Sequence, residues 1–77
     1  MPMQIENVVD LGAAVRRARR SRGLRQEDVA LAAGTGVRFV VDLERGKPTA
    51  QIAETLRVLH VVGLHVELAG PGLDGDA

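Results

Sequence analysis

Arg38 and Asp42 stand four residues apart in the segment GTGVRFVVDLERGKPT, with Val37 and Val41 beside them. On a helix these four share one side, because residues three and four apart lie over one another. The chemistry open to such a side is that of base edges. Arg can bond bidentately to guanine, Asp can accept from the amine of cytosine, and valine methyls can pack on the thymine methyl. A solvated helix would more often carry charges on long stems, and the alternative for Val37 and Val41 is contact with neighbouring protein. Gln26 opens an earlier helical pattern, where backbone N–H groups attract a phosphate and the amide can join them, unless it is an ordinary exposed first-turn residue. Lys47, in the Gly46-Lys47-Pro48 connection, is a candidate phosphate contact.

Catalytic chemistry is poorly provided for. The chain has no Cys and no Tyr, and Ser21 is its single serine. His60 and His65 lie five residues apart across a predicted helix end without companion ligands, which reads as surface or interface histidines and not as a metal site. Gly34-Thr35-Gly36 is not a phosphate loop. At Gly46-Lys47, Pro48 replaces the Ser or Thr of a Walker motif and Val41 stands where its first glycine belongs. No enzyme activity, metal or cofactor is expected. Single-stranded RNA is disfavoured too, because its readers stack bases on aromatic rings and Phe39 is the only one here. Phe39 itself is read as structural.

The elements that must position these residues follow from periodicity. Arg25 to Lys47 contains two short helical patterns joined by a glycine-centred turn. Gln26, Val29, Ala30 and Ala33 share one face of the first, Gly34 stops it, and Val40 and Leu43 are the inward residues of the second, from about Gly36 to Arg45. Before them, Asn7 is a plausible cap for a helix running to about Ser21, with Val8, Leu11, Val15 and Ala18 on its apolar face and Arg16, Arg17 and Arg20 pointing away. Arg19 falls on the edge of that stripe and needs a partner. Glu44, just after inward Leu43, is the best-placed acid, which predicts a partly buried Arg19–Glu44 ion pair. After the connection, Thr49 is expected to cap a helix from about Ala50 to Val61, with Ile52, Leu56, Leu59 and Val62 on its core face. A second set, Val58 and Val61, is assigned to a subunit interface, a broad core-facing stripe being the simpler alternative. Leu64-His65-Val66-Glu67-Leu68 alternates as a strand should, and its expected partner is the same strand of a second copy. The organisation expected is an extension over 1–7, a helical domain over 8–62, a dimerisation strand over 63–69 and a flexible tail over 70–77.

A chain of 77 residues buries little surface, so dimerisation would relieve marginal stability. The absence of cysteine is compatible with a reducing cytosol, and no signal peptide or long apolar run is present, so a cytoplasmic protein without membrane contact is expected. Formal net charge is zero, but the charges are segregated. Residues 11–49 hold nine Arg and Lys against Glu27, Asp28, Asp42 and Glu44, an electrostatic footprint suited to phosphate, although an arginine-rich solvated helix is the bland reading.

LRQEDVALAAGTGVRFVVDLERGK resembles the Cro and phage-repressor (XRE) type of helix-turn-helix, from about Leu11 to Leu59. The resemblance rests on Gln26, Ala30, Gly34, Val40, Leu43, Glu44 and Gly46, and it implies that Arg19, four residues before Gly23, pairs with Glu44. Together with LHVEL at the end, GTGVRFVVDLERGKPT is similar to HipB-type antitoxins, including y4mF-like regulators. The fold implied is mainly α: four to five helices of the lambda-repressor-like kind, with a short C-terminal β-strand pairing across a homodimer through Leu64, Val66 and Leu68. The function implied is a dimeric DNA-binding repressor of a palindromic operator, and within that an antitoxin that binds a HipA-like serine/threonine-kinase toxin. Val37, Arg38, Val41 and Asp42 would read bases, and Gln26 and Lys47 would hold the backbone. Its rivals are a free-standing repressor without a toxin, and a protein-interaction module with weak DNA binding that uses Leu31 and the aliphatic side of the fourth helix.

Overall fold

The structure is a computed structural model that describes residues 3–73; its helices are α1 Val8–Ser21, α2 Gln26–Ala33, α3 Val37–Glu44 and α4 Ile52–Val61. Asn7 caps α1 as expected: its side chain accepts from the Asp10 N–H at 2.9 Å, and the Asp10 carboxylate accepts from the Glu6 N–H at 3.1 Å. α2 has no such cap, because an arginine side chain has no acceptor. Its first turn is tied from within instead. The Asp28 carboxylate accepts the Arg25 N–H at 2.8 Å and the Arg25 guanidinium at 3.2 and 3.3 Å, and these bonds, the guanidinium's above all, hold the Asp28 carboxyl below its ordinary range.

The reversal between α2 and α3 depends on Gly34 at φ 72, a left-handed conformation that side chains with a Cβ resist. There the Thr35 N–H donates to the Ala30 carbonyl at 2.9 Å and the Gly34 N–H to that of Leu31 at 3.3 Å, the two bonds of a Schellman ending. α1 meets the C-terminal end of α3 at Gly12, a contact that periodicity does not reveal. A Cβ at Gly12 would lie 2.8 Å from the Glu44 carbonyl oxygen, so only glycine lets the two backbones approach this closely.

Val15, Val29, Ala30, Ala33, Val40, Leu43, Val58, Leu59 and Val62 form the core, with Leu11, Ala18, Leu24 and Phe39 packed around it. The inward residues expected for α2 and α3 are all there. Val8, expected on the buried face of α1, is 38 % exposed, since nothing covers the outermost turn of that helix.

α4 departs from expectation in two ways. It begins at Ile52 with Gln51 at the cap position, not at Ala50 after Thr49. Pro48 and Thr49 lie in a turn, and the Ala50 N–H points back to the Lys47 carbonyl at 3.4 Å. The inward stripe is Thr55, Val58, Leu59 and Val62, while Ile52 and Leu56 are 70 % and 46 % exposed. Val58, expected at a subunit interface, is therefore wholly buried in the chain's own core, and Val61 is partly buried against it. The reason is packing against α2. Two overlapping apolar stripes satisfy the same period, and the direction from which α2 approaches selects the one containing compact Val58. Thr55 is buried without penalty because its hydroxyl donates to the Gln51 carbonyl at 2.7 Å.

Residues 64–69 form no strand pairing within the described residues; Leu64 packs on the core, whereas Val66 and Leu68 are 56 % and 77 % exposed. The expected tail reaches beyond the described residues at 74–77, as the N-terminal extension does at 1–2. Among the described residues no helix is long and apolar enough to cross a membrane.

Candidate nucleic-acid interface

α3 is anchored from behind. Val40 and Leu43 are buried, and Glu44 in its last turn is the acceptor on which α1 and α2 converge. Arg19 of α1 donates to it from Nε at 2.6 Å and from Nη2 at 3.1 Å, and Gln26 of α2 donates from Nε2 at 3.1 Å. The third guanidinium nitrogen, Nη1, donates to the Leu24 carbonyl at 2.8 Å in the α1–α2 connection. The expected Arg19–Glu44 pair is thus present and deeply placed, with side chains 11 % and 4 % exposed. Glu44 also raises the affinity of the Arg19 guanidinium for its proton, chiefly through the hydrogen bonds. A bidentate, desolvated pair of this kind fixes orientation as well as charge.

With its inner side locked, α3 offers the outer side to solvent. Val37 is 44 % exposed and the Arg38 side chain 80 % exposed, so both are available for contact as expected. Val41 is half-buried. Asp42, expected as an acceptor for cytosine, is set back from the surface. Its carboxylate is 19 % exposed and stands between two cations, 3.4 Å from Arg38 Nε and 3.4 Å from Lys47 Nζ. Gln26 sits at the first position of α2 with one amide N–H on Glu44, so the helix N-terminus and the second amide N–H remain for a phosphate.

Several arginines are engaged in ways the sequence does not show. Arg22 donates to the Val62 carbonyl at 3.1 Å, capping α4, and Arg57 donates to the Ala33 carbonyl at 2.9 Å, capping α2. Arg25 is paired with Glu27 and Asp28. Arg16, Arg17, Arg20 and Arg45 have no ion-pair partner among the described residues, and the first three line, with Ala13 and Glu44, an open groove of about 400 Å³. Because Glu44 is already satisfied by Arg19 and Gln26, the groove is electropositive. No group of three or more potential metal ligands occurs among the described residues, and His65 is paired with Glu67 at 3.1 Å.

The geometry is that of other known proteins. The helix-turn-helix family model matches residues 15–67. The uncharacterized HTH-type transcriptional regulator y4mF of Sinorhizobium fredii is 47% identical over 72 residues, covering 94% of this chain and 95% of that protein. Among solved structures, HipB in complex with an O4 20mer aligns with a TM-score of 0.82 at 17% identity, over 91% of this chain and 99% of that one. HipB in a HipA-HipB-O2-O3 complex aligns equally, with a TM-score of 0.82 at 17% identity, over 91% and 99% of the two chains. At that identity the structural likeness speaks for the fold.

Proposed function

The chain belongs to the helix-turn-helix family, and from that membership we propose that it is a DNA-binding transcriptional regulator, with α3 reading bases in the major groove. One observation carries the reading. α3 is buried on one side by Val40 and Leu43 and fixed at its end by Glu44, while its other side presents an 80 % exposed Arg38 beside half-exposed Val37. In this reading Lys47 and the N-terminus of α2 hold the backbone on either flank.

The finer reading is a repressor that acts as a homodimer on a palindromic site and serves as an antitoxin to a HipA-like kinase. Exposed Val66 and Leu68 in an extended segment without a partner strand support the dimer, since such backbone is best satisfied by a second copy. The fold shared with HipB in its HipA complex supports the antitoxin role. Leu31, 86 % exposed on α2, favours a protein partner in either case.

The test is binding to duplexes from upstream of the protein's own coding sequence, followed over a range of salt. Affinity should fall steeply with salt. Arg38→Ala should cost about 1–3 kcal/mol on the specific site and relax one base pair, whereas Lys47→Ala should weaken all sequences alike and flatten the salt dependence by about one unit of slope. Equal losses on specific and random DNA for Arg38→Ala would refute base reading. A pull-down washed at high salt then separates the finer readings: a stoichiometric kinase-like partner supports the antitoxin, the bare homodimer a free-standing repressor.

A further inference from the structure

We propose that Asp42 is a positioning residue, one that aims the Arg38 fork at guanine, and not itself a reader of bases; the proposal rests on the reading of α3 as the base-contacting helix. Each carboxylate oxygen has a cation within ion-pair distance. Oδ1 lies 3.4 Å from Nε of Arg38, one turn earlier on α3, and Oδ2 lies 3.4 Å from Nζ of Lys47 in the following loop. A cytosine amine would have to share either oxygen with a cation. The side chain is 19 % exposed, against 80 % for Arg38, so Asp42 lies behind the arginine and not beside it.

The choice of atom matters. Pairing through Nε leaves both terminal nitrogens of the guanidinium available, and two parallel donors of that kind match O6 and N7 of guanine. An unpaired arginine on an exposed turn would sample many rotamers and lose that freedom on binding. One drawn toward an acid one turn away through Nε loses less. Lys47 is fixed to the same residue twice, because its backbone N–H also donates to the Asp42 carbonyl at 3.0 Å.

The sign of the charge makes the idea testable. An acid on a surface that meets phosphates is repelled by every duplex, whatever its sequence. Asp42 cancels one of the two positive charges of Arg38 and Lys47, so it weakens binding everywhere. Its benefit is realised only where Arg38 finds guanine. Specificity is a difference of affinities, and this residue would enlarge the difference by lowering the background as well as by improving the fit.

The experiment selects sites from a library of short randomised duplexes with the full-length protein, Asp42→Asn and Arg38→Ala. Asp42→Asn is nearly isosteric and keeps the backbone bond to Lys47. It should retain the wild-type unfolding midpoint and lose about tenfold in guanine preference at the same base pair that Arg38→Ala relaxes, a loss within the worth of one bidentate contact. Its affinity for unselected duplex should rise. A merely structural role could not produce gain and loss together. Loss of a cytosine preference at a different base pair, with the guanine retained, would show that Asp42 reads directly and would overturn the proposal. So would a lowered unfolding midpoint with both affinities reduced. If Arg38→Ala leaves the selected site unchanged, the reading of α3 is what fails, and the Asp42 proposal fails with it.

Discussion

Glu44 is the side chain on which the orientation of α3 turns. Its carboxylate collects Arg19 from α1 and Gln26 from α2 in a place where its own exposure is 4 %, so each donor is worth more than it would be in water. Removing either charge leaves the other buried without a counter-charge. Glu44→Gln should therefore lower stability by about 3–5 kcal/mol, read from urea denaturation; an unchanged midpoint would mean that the pair orients α3 without holding the fold. Replacing both partners together, Arg19→Met with Glu44→Leu, should recover most of the loss, because a desolvated pair repays little beyond its own burial. Arg19 was legible in the sequence as a charge at the edge of an apolar stripe. Gln26 was legible as a helix-start residue, but its bond to Glu44 was not, since the two are 18 residues apart and nothing in either segment points to the other.

At the scale of elements, two contacts set how the helices meet. Gly12→Ala would place a methyl group against the Leu43 and Glu44 carbonyls, and α1 would have to move away from α3. The expected cost is about 1–3 kcal/mol, as for overpacking of a tight contact. It is checked by the denaturation midpoint, with a loss of duplex affinity as α3 is displaced; a variant as stable as the wild type would show that the contact yields. The start of α2 carries a pH dependence. The Asp28 carboxyl is held below its ordinary value of 3.8 by Arg25, so its contribution is fully present above that value and is lost as pH falls through the lower folded-state value. Asp28→Asn should remove part of that stability at neutral pH and flatten the acid limb of the unfolding profile below pH 3.8, while a parallel acid limb in the variant would exclude Asp28 as its source. α4 illustrates the limit of periodicity. Ile52, Leu56, Leu59 and Val62 and the observed Thr55, Val58, Leu59 and Val62 overlap at two positions, and a polar threonine in the second set made it the less obvious choice. The Thr55 hydroxyl bonded to the Gln51 carbonyl is what makes that choice workable.

For the molecule as a whole, the surface left uncovered is apolar at Ile52, Leu56, Val66 and Leu68. The proposed dimer would cover the extended segment by strand pairing and so supply the second half of a two-fold DNA site. Val66→Pro removes a backbone donor from the middle of that segment without touching the core. It should give a monomer by sedimentation and a large loss of affinity for a two-fold site, while the helix content of each chain stays the same. A dimer that survives Val66→Pro would move the interface to Ile52 and Leu56 on α4.

The sequence by itself determined where the helices lie within a few residues, which residues of α2 and α3 turn inward, and the pairing of Arg19 with Glu44. The first two are properties of local spacing, capping and turn chemistry. The pair, 25 residues apart, was legible because a charge at the edge of one apolar stripe and an acid just after the inward residue of another each needed a partner. Tertiary structure alone decided which stripe of α4 faces the core, why Gly12 is glycine, and that Arg22 and Arg57 cap α4 and α2. It also set Asp42 between the cations on either side of it. Each of these depends on an atom from a distant segment, a carbonyl at a helix end or a charge across a loop, and such partners have no fixed offset in sequence from which to be read.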